Sequence, residues 1–291
     1  PKPAPEPAFA DRVKARIDQG VAGEADVREV GAIVDEELNK RLAAKGVDTM
    51  AEEMRDLKVQ QDRLWQERNA IPWSDDERRR ANWDEVKRLG TRYEELRRTL
   101  PALQEATVRE TLADIRPLGG VTQRWAKGTR REIRDAVEAA CESYPTDWLQ
   151  MSRDKSELLG KKVARGFYSP RDNSINLSEH GGLESVAFHE FGHRIEDVNR
   201  RVGQIEAEFY DRRTAGESLR WLGKGYRQDE KTRFDQFVEP YMGKDYRPAY
   251  GGSSQFFEVW TMGVEAMFRR TYDLASDPEY RHLILGILAA L

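Results

Sequence analysis

From residue 8 to about 115, apolar residues recur at helical spacing among many charges, as in the stretches Val30–Leu42, Ala51–Arg68 and Asp75–Leu100. Leu57, Val59 and Leu64 fit stripes on amphipathic helices. Helix breaks are expected at Gly46, at IPWSDDE (71–77) and at Pro101. Ser74 with Glu77 three residues later has capping-box spacing. The pattern predicts a bundle or antiparallel hairpin of helices without a sustained heptad, and a protein partner docking on these helices is an open reading. RPLGG (116–120) marks a boundary, giving a helical domain over 9–118 and a second domain over 119–291.

In the second part a helix is expected over Trp125–Ser143 and a turn at YPTDW (144–148). The texture then changes. WLQMS (148–152), KKVARGFY (161–168) and SINLS (174–178) are short and partly alternating, with turn signals at 158–160 and 169–173. They predict a small antiparallel sheet. Gly181-Gly182 leads into a helix over Leu183–Val202, with further helices over 204–220, 229–239, 254–271 and 277–290. The expected class is therefore α+β, mainly helical, with a small sheet.

Charge sharpens this picture by exclusion. Lys+Arg and Asp+Glu number 22 and 25 up to Leu118, and 26 and 27 beyond it. Neither part has the one-sided positive balance of a nucleic-acid binder. The single cysteine, Cys141, forms no intrachain disulfide and reads as a small buried hydrophobe. No signal peptide and no apolar run of about 18 residues is visible, so a membrane is not expected as a partner. LILGILAAL (283–291) reads as a buried terminal helix. PKPAPEP opens the chain as an extended linker over residues 1–8. The expected location is the cytoplasm, or delivery into a host or target cell.

The chemistry concentrates in ESVAFHEFGHRIED (184–197), where His189, Glu190 and His193 form an HExxH motif. Residues four apart share one helix face, so two imidazoles can grip one tetrahedral zinc ion. Glu190 is rotated about 100° from His189, beside the metal, where a carboxylate can take a proton from water. Gly192 costs the helix roughly 1 kcal/mol relative to Ala, acceptable if backbone or substrate passes close by.

A catalytic zinc needs a third protein ligand. A metzincin would place a glycine and a histidine at positions that here are Glu196 and Asn199, which excludes that class. His180 and His282 lack motif context. In SQFFEVWTMGVEAMF (254–268), Glu258 sits in an apolar run where an unpaired carboxylate is costly. Glu258 is the expected third ligand. Glu265, about two turns on, is the expected acceptor for a ligand histidine N–H. An oxyanion donor is sought among Tyr241, Tyr246 and Tyr250, with Tyr250 first because Gly251-Gly252 follows it. Asp197, four residues after His193, is expected on a solvated helix face.

HEFGH and the helix of Glu258 resemble the gluzincin branch of zincin metallopeptidases. The order of strands, motif helix and glutamate helix is similar to lethal-factor-type toxin peptidases, which carry a glutamate ligand in an FF-rich helix and a tyrosine shortly before it. RGFYSPRDNSINLSEHGG, HEFGH and EVWTMGVEAMF together look like zincin domains of phage, prophage and mobile-element proteins, among them head-morphogenesis proteins and toxin-like modules. The resemblance covers about residues 145–270. It implies a zincin-like catalytic domain cleaving a polypeptide, with zinc on His189, His193 and Glu258 and with Glu190 as general base. Two features depart from the thermolysin-like pattern: no Asn-Glu-x-x-x-Asp follows the motif, and Glu265 lies seven rather than four residues past Glu258. The alternative function is a phage or mobile-element assembly protein with a non-catalytic zincin fold. A helical scaffold carrying a chance motif would bind no metal.

Overall fold

The computed structural model describes residues 8–178, 182–235, 237–247, 257–269 and 274–291. Four helices come first: α1 (Phe9–Asp18), α2 (Glu24–Ala44), α3 (Val47–Ala70) and α4 (Asp76–Ala113). Gly46, in the left-handed region at φ 71°, separates α2 from α3 as expected. Asp75, not Ser74, caps α4, its carboxylate accepting the Arg78 N–H at 3.1 Å. Pro101 does not break α4. It removes one N–H donor, and the rest of a 38-residue helix carries on past it.

Next come α5 (Arg131–Cys141), α6 (Thr146–Lys155), β1 (Leu159–Val163), β2 (Phe167–Ser169) and β3 (Ser174–Ser178). The helix expected from Trp125 thus starts only at Arg131, and Trp125 instead bridges Leu158. WLQMS is not a strand. It lies in α6, where Trp148, Leu149 and Ser152 are buried at helical spacing.

The sheet is mixed rather than antiparallel, in the order β1-β3-β2. β1 pairs parallel to β3, from Leu159 opposite Ser174 to Val163 opposite Ser178. β2 pairs antiparallel, with Tyr168 opposite Ile175. KKVARGFY therefore holds parts of two strands, joined by Ala164-Arg165-Gly166. That link crosses over the end of β3, where Ser178 Oγ donates to the Ala164 carbonyl at 2.9 Å. β3 is central and buried along its whole length.

The remaining elements are α7 (Leu183–Val198), α8 (Arg200–Arg213), β4 (Arg220–Trp221), β5 (Lys231–Thr232), β6 (Lys244–Asp245), α9 (Val259–Arg269) and α10 (Pro278–Ala290). The helix expected to Val202 ends earlier because Asn199 leaves helical geometry, and its side chain accepts the Arg201 N–H to open α8. The described residues of 229–239 are not helical. Part of that stretch forms β5, the middle of a second small sheet β4-β5-β6. The class is α+β and mainly helical, and no helix among the described residues is long and apolar enough to cross a membrane.

Two compact units result: residues up to Glu37 with Val108–Leu291, and Leu38–Thr107. This division differs from a single cut at 118. Early residues stay with the larger unit because Asp35 meets Arg281 and His282 on α10, and Glu24 meets Arg212 on α8. The smaller unit centres on Leu57, Leu89 and Leu96, with Met50, Met54, Leu64 and Tyr93 packed against them. Its helices run antiparallel, since Glu53 pairs with Arg92 and the Leu64 carbonyl accepts from Asn82.

Candidate metal centre

Helix α7 lies in the middle of the larger unit, packed on β3 and against α5, α6 and α9. Its burial is almost continuous from Ala187 to Glu196, which is what a helix covered on most sides requires. Aromatic packing fixes its rotation: Tyr144 sits edge-on to Phe191, and the Phe188 ring stacks on Phe268. Gly192 faces α9. A Cβ there would come within 3.0 Å of Thr261 Cγ2, so the glycine admits the neighbouring helix rather than a substrate. The Trp260 indole also donates to the Gly192 carbonyl at 3.1 Å.

This packing brings His189, His193 and Glu258 together. One donor atom from each lies within 4.8 Å of the others, a group that could hold a metal ion. Glu258 Oε2 is 2.9 Å from His189 Nε2 and 3.6 Å from His193 Nε2. Each outer Nδ1 has a carboxylate of its own: Glu265 at 3.3 Å from His189, and Glu196 at 2.6 Å from His193. Ser185 Oγ donates to the other oxygen of Glu265 at 2.6 Å. With an acceptor on each Nδ1, both Nε2 atoms face Glu258 Oε2, the side on which an ion would be held. Two imidazoles and a carboxylate are also a donor set suited to zinc.

The electrostatics fit the same description. Burial pushes the Glu258 carboxyl up, but the two imidazoles outweigh it and hold the group well below the usual carboxylate range. Burial opposes a charge on His189, yet Glu258 and Glu265 draw its pKa well above the ordinary value. The pocket thus gathers positive charge between these side chains.

Glu190 lies beside the three donors and is buried, which raises its carboxyl pKa. The Tyr168 N–H on β2 donates to it. Gly166 leaves room for it, since a Cβ there would sit 2.9 Å from Glu190 Oε1. His189, Glu190, Tyr241, Gly166, Val186 and Met262 line one side of a cavity of about 340 Å³.

Of the three tyrosines considered, Tyr250 lies outside the described residues, as does His180. Tyr246 donates to Glu258 Oε1, on the side away from the histidines. Tyr241 faces the cavity. Between the two phenols sits the buried ammonium of Lys244, donating to Tyr246 at 2.9 Å, Tyr241 at 3.2 Å and Glu230 at 2.9 Å. His282 is elsewhere, on Asp35. Asp197 is not solvated but holds the Tyr168 hydroxyl at 2.6 Å and pairs with Lys155. Cys141 is buried, which drives its thiol pKa up.

Sequence reasoning passed over Glu196 and Lys244. Glu196 had a usable signal, being three residues from His193 on the same helix. It also meets Glu206 on α8. Burial lifts the Glu196 carboxyl to about 8 and that of Glu206 well above its ordinary value, so the pair retains a proton at neutral pH.

Set beside known proteins, the chain matches no family model, no curated protein and no solved structure.

Proposed function

We propose that the chain is a zinc-dependent endopeptidase with a zincin-like catalytic domain. The observation that carries this reading is the convergence of His189, His193 and Glu258, with His189 and Glu190 at the wall of one cavity. His189, His193 and Glu258 would hold the ion. When bound, zinc supplies a Lewis acid that acidifies water and draws electrons from a peptide carbonyl.

The chain's own residues divide the remaining work. Glu190, its proton affinity raised by burial, takes a proton from the attacking water and returns it to the departing amine. Tyr241 faces the same cavity and donates a hydrogen bond to the developing oxyanion, the role first expected of Tyr250. Tyr246 occupies Glu258 Oε1 and leaves Oε2 to the ion. The substrate backbone has no place on β3, which is paired on both sides. It lies along β2, whose edge away from β3 has no strand partner among the described residues, as an added strand.

Zinc content and cleavage of an unstructured protein substrate test this together. Wild type should bind one zinc per chain and cleave. Glu190→Gln should keep the zinc and lose about 10²- to 10⁴-fold in rate. Full activity in that variant refutes the base assignment. One tightly held zinc with no cleavage of any polypeptide would favour an assembly protein with a non-catalytic zincin fold.

A further inference from the structure

The chemistry above uses one face of α7, yet the opposite side of the same imidazole is built with equal care. Glu196 and Glu206 are buried, at 4% and 0% exposure, and come from two different helices, α7 and α8. Glu196 Oε2 accepts the Nδ1–H of His193 at 2.6 Å. Glu206 Oε1 accepts the Trp260 backbone N–H at 2.6 Å, in the first turn of α9, two residues past Glu258. The two carboxyls share a hydrogen bond, with Glu196 Oε1 and Glu206 Oε2 both buried. A continuous chain therefore runs from His193 through Glu196 and Glu206 to the backbone that carries Glu258.

Burying two carboxyls is costly, and a pair of apolar residues of similar volume would pack α7 on α8 without that cost. The contacts around His193 supply a reason for keeping them. A histidine ligand needs its ring fixed about two torsions, and an acceptor on Nδ1 fixes both the ring plane and the tautomer. Glu265 does this for His189 from α9 itself. For His193 the acceptor is on its own helix, and two bonds from outside keep it aligned with Glu258. The Phe257 N–H donates to Glu196, and Glu206 links Glu196 to the Trp260 N–H.

We propose that Glu196 and Glu206 act as one positioning unit that aims His193 Nε2 and ties it to the start of the helix that follows Glu258. This rests on the metal reading of the site proposed above. Neither carboxyl touches the substrate, and their effect reaches the chemistry through His193 and Trp260.

The test measures zinc dissociation constants of the full chain by competition with a chromogenic chelator. Thermal melting of the metal-free protein and the visible spectrum of the cobalt-substituted protein are recorded beside them. Glu196→Gln, which keeps an acceptor but loses the charge, should weaken zinc binding about 10-fold, and Glu196→Leu about 100-fold. Glu206→Leu, which never touches a ligand, should also weaken it about 10-fold, while Glu206→Gln restores affinity to within about threefold of wild type. The cobalt bands should shift in Glu196→Leu and Glu206→Leu, since a swung imidazole changes the ligand field. Both leucine variants holding zinc as tightly as wild type per folded molecule, with unchanged cobalt bands, would overturn the proposal, however far their melting temperatures fall. If Glu206→Leu does not fold, Glu196→Gln decides: tight zinc and an unshifted cobalt spectrum overturn the unit. A wild-type chain that takes up no zinc sinks both this inference and the proposed function. Wild type that binds zinc without cleaving peptides, with weakened variants, sinks only the peptidase reading.

Discussion

Glu258 is the residue on which the charges of the site turn. A carboxylate buried this fully is tolerable only when its oxygens are matched, and here two imidazoles take one oxygen while Tyr246 takes the other. Glu258→Ala should therefore abolish tight zinc binding, read by the same chelator competition. Tyr241→Phe should lower kcat about 10- to 100-fold with one zinc still bound, because the oxyanion contact is removed along with one acceptor of the Lys244 ammonium. A pH effect belongs here as well. Glu196 and Glu206 have raised folded-state pKa values, so the folded chain keeps protons that the unfolded chain releases above 4.5. Their stabilisation is complete below 4.5 and is lost as pH rises, for Glu196 through about 8. The metal-free melting temperature should fall from pH 5 to pH 8, and Glu206→Gln should flatten that fall. His189, Glu190, His193 and Glu258 were legible in the sequence because helical spacing and an apolar surround are local signals. Lys244 was not, since its meaning comes from Glu230 and two phenols gathered by tertiary folding.

At the scale of elements, the three-residue link between β1 and β2 decides where the sheet meets α7. It passes over β3 and delivers Gly166 to the Glu190 carboxylate. Gly166→Ala puts a Cβ within 2.7 Å of Val186 Cγ1 and 2.9 Å of Glu190 Oε1. It should cut kcat while leaving one zinc per chain; unchanged kcat would mean that Glu190 is not held from this side. This crossing explains why the sheet was misread. Strands at 161–168 and 174–178 look like a hairpin in sequence, and nothing local announces that a link will jump across the strand that follows it. The α6 segment was misread because Trp148, Leu149 and Ser152 satisfy a helical face as well as a strand fragment. At Pro101 the sequence signal was real but outweighed by the helix on either side. Pro101→Ala restores a donor in an exposed turn of α4 and should raise the stability of the smaller unit by about 1–3 kcal/mol, measured by denaturant unfolding.

At the scale of the whole molecule, the site is built entirely from elements between β1 and α9, within the larger unit. The smaller unit has its own apolar cluster and an edge-on Trp65–Trp83 pair with ring centroids 5.6 Å apart. Replacing residues 65–81 with a short Gly/Ser turn should accordingly leave zinc stoichiometry unchanged, while loss of zinc in that variant would tie the two units together. The helical spacing of apolar residues predicted the long helices, but it could not say that α1 and the start of α2 belong with the last helix. That association comes from Asp35 and Glu24 reaching partners more than 180 residues away. The central claim is a single ion held by two imidazoles and one carboxylate. X-ray absorption at the zinc edge of the loaded protein tests it most directly: the account predicts two histidine nitrogens at about 2.0–2.1 Å and a carboxylate oxygen at about 2.0–2.2 Å. An inner shell with no imidazole scattering, or a chain that retains no zinc at all, would contradict it.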